Sequence, residues 1–228
     1  MTSAQSYVIV TGGSGGIGSA LCRLLAVNGL RPVVCYHNNK TDAEILANEC
    51  DGFAVNLDLA NDESIGRALA EISKGTGEKG NMHGVVLAAS PPPDLLPFGK
   101  LSPEILLHQF RINVAGPQLL LAGLIKTYFR KNKSGTIVGI LSKAMGNANQ
   151  PPATGMGAYI IAKAALRGML DVCAAEYPWL RVRTISPGFT RTKMLDVFDE
   201  RYLEQMQEKT PFTTAEDIAR LILKEMAA

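Results

Sequence analysis

Residues 7–18, YVIVTGGSGGIG, constrain the fold more than any other stretch of the chain. A short apolar run that reads as a strand passes without a spacer into a glycine-rich loop. Ile17, Leu21, Leu24 and Leu25 then recur at helical spacing, to a stop near Asn28-Gly29. A flexible linker does not sit between a buried strand and an amphipathic helix. Glycine permits positive φ and close approach of backbone to a ligand. The new helix offers unpaired amides and the positive end of its dipole, which suits a pyrophosphate. The plainer alternative is a tight structural turn. No Lys-Ser/Thr follows the glycines, which argues against a P-loop.

The rest of the chain repeats this alternation. PVVCY (32–36), FAVNLDL (53–59), GVVLAAS (84–90), GTIVGIL (135–141) and VRTIS (182–186) read as further strands. Helical patterns lie between them at 42–49, 62–73, about 103–131 and 157–176. Ser102-Pro103-Glu104 has the form of a helix start, and Thr214 with Asp217 that of a capping box before a last helix. Near-continuous apolar strands alternating with helices predict an α/β, Rossmann-like doubly wound parallel sheet of six core strands. No repeat or linker divides residues 1–228, so a single domain is expected.

Composition excludes several classes. The net charge of +2 gives no bulk argument for nucleic acid or membrane. The most apolar stretch, 114–125, is short and carries Gly116, Pro117 and Gln118, so no membrane span is expected. Cys22, Cys35, Cys50 and Cys173 show neither a Cys-x-x-Cys pair nor zinc-ligand spacing, so no metal site is expected. The first residues lack the pattern of a signal peptide, and a cytoplasmic protein is expected.

Thr11-Gly12-x-x-x-Gly16-Ile17-Gly18 resembles the glycine motif of the short-chain dehydrogenase/reductase family, and later motifs follow in that family's order along most of the chain. The resemblance implies a dinucleotide held by Thr11, Gly12, Ser14, Gly15, Gly16, Ile17 and Gly18. The end of the second strand meets the adenosine ribose in such folds. Here CYHNNK has no carboxylate, and His37, Asn38, Asn39 and Lys40 can donate hydrogen bonds, which favours NADP(H) over NAD(H). These four are otherwise ordinary solvated loop residues. By resemblance Asp58, with Leu59, contacts adenine; a helix cap is the alternative for Asp58. Ala88, Ala89 and Ser90 would pass beneath the cofactor, and Pro187, Gly188, Thr190 and Thr192 would meet the nicotinamide.

Tyr159 and Lys163, four apart on a helix, share one face. With Asn113 and Ser142 they resemble the family's catalytic tetrad. A phenol titrates near pH 10, and a nearby cation favours the phenolate, so Tyr159 would serve as acid/base with Lys163 beside it and on the nicotinamide ribose. Ser142 would hydrogen-bond the carbonyl oxygen, and Asn113 would hold a water linking Lys163 to solvent through a helix bend near Gly116-Pro117.

Three departures from the family stand out. Leu87-Ala88-Ala89-Ser90 replaces Asn-Asn-Ala-Gly; sixteen residues separate Ser142 from Tyr159, which predicts an enlarged pocket wall at 147–158; and the family's usual seventh strand is not seen. A homodimer through the helices at 103–131 and 157–176 is therefore expected in place of a tetramer. The stretch 193–206 reads as an amphipathic substrate lid, within about 190–210, or as a plain surface helix. Arg130, Lys131 and Lys133 resemble the patch that receives acyl carrier protein in ketoacyl reductases, or form a solvated helix end. The expected function is NADPH-dependent reduction of a ketone or 3-oxoacyl carbonyl, on a small molecule or a carrier-tethered one. The alternative is an NADP-binding regulatory or partner protein with little turnover.

Overall fold

Alternation inside each strand builds a sheet with two greasy faces. In β1 (Ser6–Thr11), Tyr7 and Ile9 join one hydrophobic cluster, while Val8 and Val10 join the other. β2 (Arg31–Tyr36) splits in the same way, with Val33 and Cys35 against Val34 and Tyr36. A strand buried on both faces needs a helical cover on each side. The computed structural model describes residues 5–77 and 80–227. Residues 1–4, on which the expectation about a signal peptide partly rests, lie outside them, as does Ala228.

All strand pairs are parallel, in the order β3-β2-β1-β4-β5-β6, where β3 is Phe53–Asn56, β4 Asn81–Leu87, β5 Thr136–Ile140 and β6 Arg181–Ile185. Helices α1 (Gly16–Val27), α2 (Lys40–Glu49) and α9 (Ala215–Ala227) cover one face through Leu21, Leu25, Leu46, Ile218 and Ile222. The other face is covered by α3 (Asp62–Thr76), α7 (Gly157–Glu176) and a rod over 103–132. That rod comprises α4 (Pro103–Phe110), a π-helical turn Arg111–Ala115, α5 (Gly116–Leu124), a second π turn Ile125–Phe129 and α6 (Arg130–Asn132). The strand order reverses between β1 and β4, and the carboxyl ends of those strands open the crevice where such folds bind ligands.

Several element boundaries differ from the sequence reading, each for a local reason. β3 stops at Asn56, because Asp58 turns the chain: its carboxylate accepts from the Ala60 amide, and its own amide donates to Ser64. β4 stops at Leu87, because the Ala88 and Ala89 amides turn to the Thr11 hydroxyl at 3.0 and 3.1 Å. The rod is irregular just before Gly116, as expected, and again at 125–129, which was not expected. The stretch 193–206 is not one helix. A 3₁₀ turn, Lys193–Val197, is followed by α8 (Glu200–Lys209), which Asp199 caps by accepting from the Tyr202 amide. The capping box before α9 is present, with Thr214 and Asp217 bonding reciprocally.

Candidate active site

The glycine loop is shaped by what it lacks. Gly12 has φ +64°, and a Cβ there would stand 3.0 Å from the Ala89 Cα, so β1 and the turn after β4 touch backbone to backbone. A Cβ on Gly18 would collide with the Gly12 carbonyl oxygen. Gly15 caps α1 in an extended conformation without a side-chain bond, and the first turn of α1 carries no acidic residue. The amides of that turn are thus open to an anion, and the site fits the pyrophosphate of a dinucleotide. Ser14 is half-buried on the loop, Gly15 and Gly16 are exposed, and Ile17 is partly buried. Thr11 is buried, and its hydroxyl braces the Ala88-Ala89 turn, where the family would use asparagine amides.

At the other end of the crevice, His37, Asn38 and Asn39 are exposed after β2, and Lys40 pairs with Glu44 within α2. The His37 ring lies 3.7 Å from the Asp58 carboxylate, so a carboxylate does reach this corner, from the turn after β3. Leu59 is buried behind it.

The four residues of the expected tetrad come from regular helix, a strand end and a π turn. Tyr159 is 7% exposed and Lys163 2%, one turn apart on α7. The Lys163 ammonium sits 5.6 Å from the Tyr159 ring centroid and donates to the Ile140 carbonyl at 2.9 Å. Burial pushes the Tyr159 phenol above its ordinary range, against a smaller downward pull from its hydrogen bond with Ser142. Burial also pushes Lys163 down to about 7. Ser142 lies two residues beyond β5 and caps a 3₁₀ turn, Lys143–Met145. The amides of Leu141 and Lys143 donate to Ile185 and Pro187, which lays the serine beside the Pro187-Gly188 turn. Asn113 is 1% exposed and sits inside the first π turn. Its Oδ1 is the one buried side-chain polar atom among the described residues without a protein partner.

Around this centre, Leu96 after β4 bridges to Met156 in the enlarged wall, and its amide donates to the Gly155 carbonyl at 2.8 Å. Ser90 bonds the Pro91 carbonyl. Thr190 is buried and bonded to Thr213, so its hydroxyl serves the base of the lid. Thr192 leans on the glycine loop: its Cγ2 lies 2.5 Å from where a Gly16 Cβ would be. The segment 189–212 is held by an aromatic cluster, with Phe189 stacked on Phe212 and edge-on to Phe198 and Tyr202. Arg130, Lys131 and Lys133 are exposed before the amino end of β5, whereas Ser142 follows its carboxyl end. No three His, Cys, Asp or Glu side chains converge among the described residues, and no helix there is long and apolar enough to cross a membrane.

Of the four residues that sequence reasoning grouped, Tyr159 lies beside Lys163 and Ser142, while Asn113 is bonded to Gln109 on the rod, which packs against α7. Sequence reasoning missed Gln109, fully buried against Asn113. A lone glutamine in a helical pattern carries no signal of burial.

A sequence profile described as short chain dehydrogenase matches residues 6–202. The chain is 31% identical over 191 residues to a 2,5-dichloro-2,5-cyclohexadiene-1,4-diol dehydrogenase of Sphingobium indicum, covering 82% of this chain and 74% of that one. It is 28% identical over 216 residues to a 3-oxoacyl-[acyl-carrier-protein] reductase of Bos taurus, covering 92% and 86%. A short-chain type dehydrogenase/reductase from Mycobacterium ulcerans shares the fold, with TM-score 0.83, 23% identity and coverage of 97% and 82%.

Proposed function

The chain belongs to the short-chain dehydrogenase family of oxidoreductases, and from that premise we propose that it is an NADPH-dependent reductase of a ketone or 3-oxoacyl carbonyl. The observation that carries the reading is the buried set of Tyr159, Lys163 and Asn113, with half-buried Ser142 hydrogen-bonded to Tyr159, in a fold whose glycine loop is fit for a dinucleotide. A nicotinamide dinucleotide bound there supplies the hydride. Thr11, Gly12, Ser14, Gly15, Gly16, Ile17 and Gly18 hold its pyrophosphate. His37, Asn38 and Asn39 meet the 2′-phosphate, Asp58 and Leu59 the adenine, and Ala88, Ala89 and Ser90 the underside. Pro187, Gly188 and Thr192 would make the nicotinamide end, with Thr190 behind them, bonded to Gly188 and Thr213 and so holding the turn.

In reduction Tyr159 donates its proton to the carbonyl oxygen, which Ser142 holds by a hydrogen bond. A phenol kept protonated by burial is a competent acid at neutral pH. Lys163, titrating close to neutrality, recharges it, and Asn113 leads that proton path towards solvent. The relatives' names support a 3-oxoacyl thioester as substrate. A carrier protein could dock on Arg130, Lys131 and Lys133, none of which forms an ion pair among the described residues. Exposed Leu107, Phe110, Leu119, Ile161 and Val172 on the rod and α7 support a homodimer through those helices. Sedimentation of a stable tetramer would refute that arrangement.

The test is oxidation of NADPH by the purified protein with acetoacetyl-CoA, with NADH run beside it. Turnover with NADPH supports the reading, and preference for NADH overturns the coenzyme assignment. Tight NADPH binding without turnover on any 3-oxoacyl thioester or small ketone favours a regulatory role.

A further inference from the structure

Gln109 lies on α4, one turn before Asn113, and is 0% exposed. Its side chain spends both donor directions and accepts one bond. Nε2 donates to the Pro92 carbonyl at 2.8 Å and to the Asp94 carboxylate at 3.2 Å. Oε1 accepts from Asn113 Nδ2 at 3.2 Å, and the same Nδ2 donates to the Gln109 backbone carbonyl at 3.0 Å. The acceptors fix both amides. Pro92 O and Gln109 O cannot donate, so nitrogen must face each of them. With its nitrogen claimed twice, Asn113 has to turn Oδ1 the other way, where it finds no protein partner. A buried acceptor left open in this manner costs free energy unless a bound group uses it.

The loop at the far end of the glutamine is not an idle one. Pro92 and Asp94 belong to the stretch between β4 and α4, and Leu96 in that stretch pairs with Met156, three residues before Tyr159. One continuous set of bonds therefore runs from the catalytic asparagine, through Gln109, to the loop that meets the enlarged pocket wall. Nothing else in the described structure holds the Asn113 amide.

We infer that Gln109 is a positioning residue for the reaction: it locks the Asn113 amide with its oxygen towards the proton path, and ties that amide to the 91–97 rim of the substrate entrance. The inference rests on the proposed roles of Tyr159, Lys163 and Asn113. It goes beyond them in assigning the orientation of the asparagine to a residue outside the tetrad. The rim and the proton path then share one alignment, so disturbing the rim through this link slows the chemical step and leaves coenzyme binding intact.

Two variants separate this from a packing role. Gln109→Leu fills the volume and removes the three side-chain bonds, to Pro92, Asp94 and Asn113, leaving Asn113 only the backbone carbonyl of residue 109. Gln109→Glu keeps an acceptor for Asn113 but sets a carboxylate against Asp94 and the Pro92 carbonyl. Asp94 is the titratable group in contact with this side chain. On α7, packed against α4, Tyr159 and Lys163 are buried, while Arg167 and Asp171 are exposed and paired at 3.6 Å. Burial beside Asp94 raises the pKa of the introduced carboxyl, and once protonated it donates again. With NADPH and acetoacetyl-CoA, Gln109→Leu should lower kcat on the order of 10–100-fold at all pH values, with KM and NADPH affinity little changed. Gln109→Glu should regain kcat relative to wild type as pH falls from about 8 to about 6. Unchanged kcat in the leucine variant, or equal losses in both variants at every pH, would overturn the inference. Amide hydrogen exchange of the coenzyme-free protein probes the same link without turnover. Exchange at Leu96 should quicken in Gln109→Leu, and unchanged protection there removes the tie. Tyr159→Phe run alongside tells the two ideas apart: if it retains full turnover, the reading of the reaction fails, while the exchange result still judges Gln109.

Discussion

The coenzyme side and the reacting side of the crevice are built by opposite means. Around Gly12 and Gly18 the chain removes side chains, so that backbone meets backbone and helix amides stay open. Around Asn113, Tyr159 and Lys163 it buries polar side chains and holds them with bonds that leave one oxygen and one titrating amine poised. The first design fails sterically when anything is added. The second fails chemically when a single group is exchanged, because each buried polar atom depends on its neighbour. A site can thus be rigid at one wall through emptiness and at the other through mutual satisfaction.

The sharpest cut between the two walls is Tyr159→Phe, which should lower kcat by about 10²–10⁴-fold and leave NADPH affinity as it was, by fluorescence titration. Gly18→Ala should do the reverse. Its Cβ meets immovable backbone, so NADPH affinity should fall on the order of 100-fold, while Tyr159 and Lys163 keep their burial. Lys163→Met probes the cost of the buried amine. The folded pKa is about 7, below the ordinary lysine value of 10.5, so the unfolded chain binds more protons between those values. Wild-type stability should therefore gain on that of Lys163→Met as pH rises through this window, by about 2 kcal/mol between pH 7 and pH 9 in urea unfolding. If both proteins show the same pH dependence, the amine is not desolvated as described. The smallest effect is expected from Gly16→Ala. The added methyl meets only the movable Thr192 side chain, so NADPH affinity should drop a few-fold and partly return in the Gly16→Ala/Thr192→Ser double variant.

The asymmetry also decides what could be read from the chain. Glycines between a strand and a helix, and Tyr159 one turn from Lys163, are local patterns, and local patterns survive in sequence. All six strands were legible: β1, β2, β4 and β5 through their apolar runs, β3 and β6 through shorter β-branched or aromatic ones. The end of β3 was misplaced by three residues, because Leu57-Asp58-Leu59 alternates like a strand while Asp58 bonds like a turn. Asp199 ahead of Glu200 was a legible cap that divides the lid in two, but the apolar period across 193–206 concealed it. The His37–Asp58 approach, the Leu96–Met156 bridge and the burial of Gln109 join segments far apart in the chain. No local pattern announces such pairs, since their partners are chosen by the tertiary fold.

The lean of Thr192 on Gly16 has a kinetic consequence. Thr192, which caps the 3₁₀ turn Lys193–Val197, rests against Gly16, so on the proposed reading a dinucleotide would enter beneath this turn before the segment after it settles over a carbonyl compound. On the proposed reading, binding should follow a compulsory order, coenzyme first on and last off, and the oxidised coenzyme should inhibit competitively against NADPH at every concentration of the second substrate.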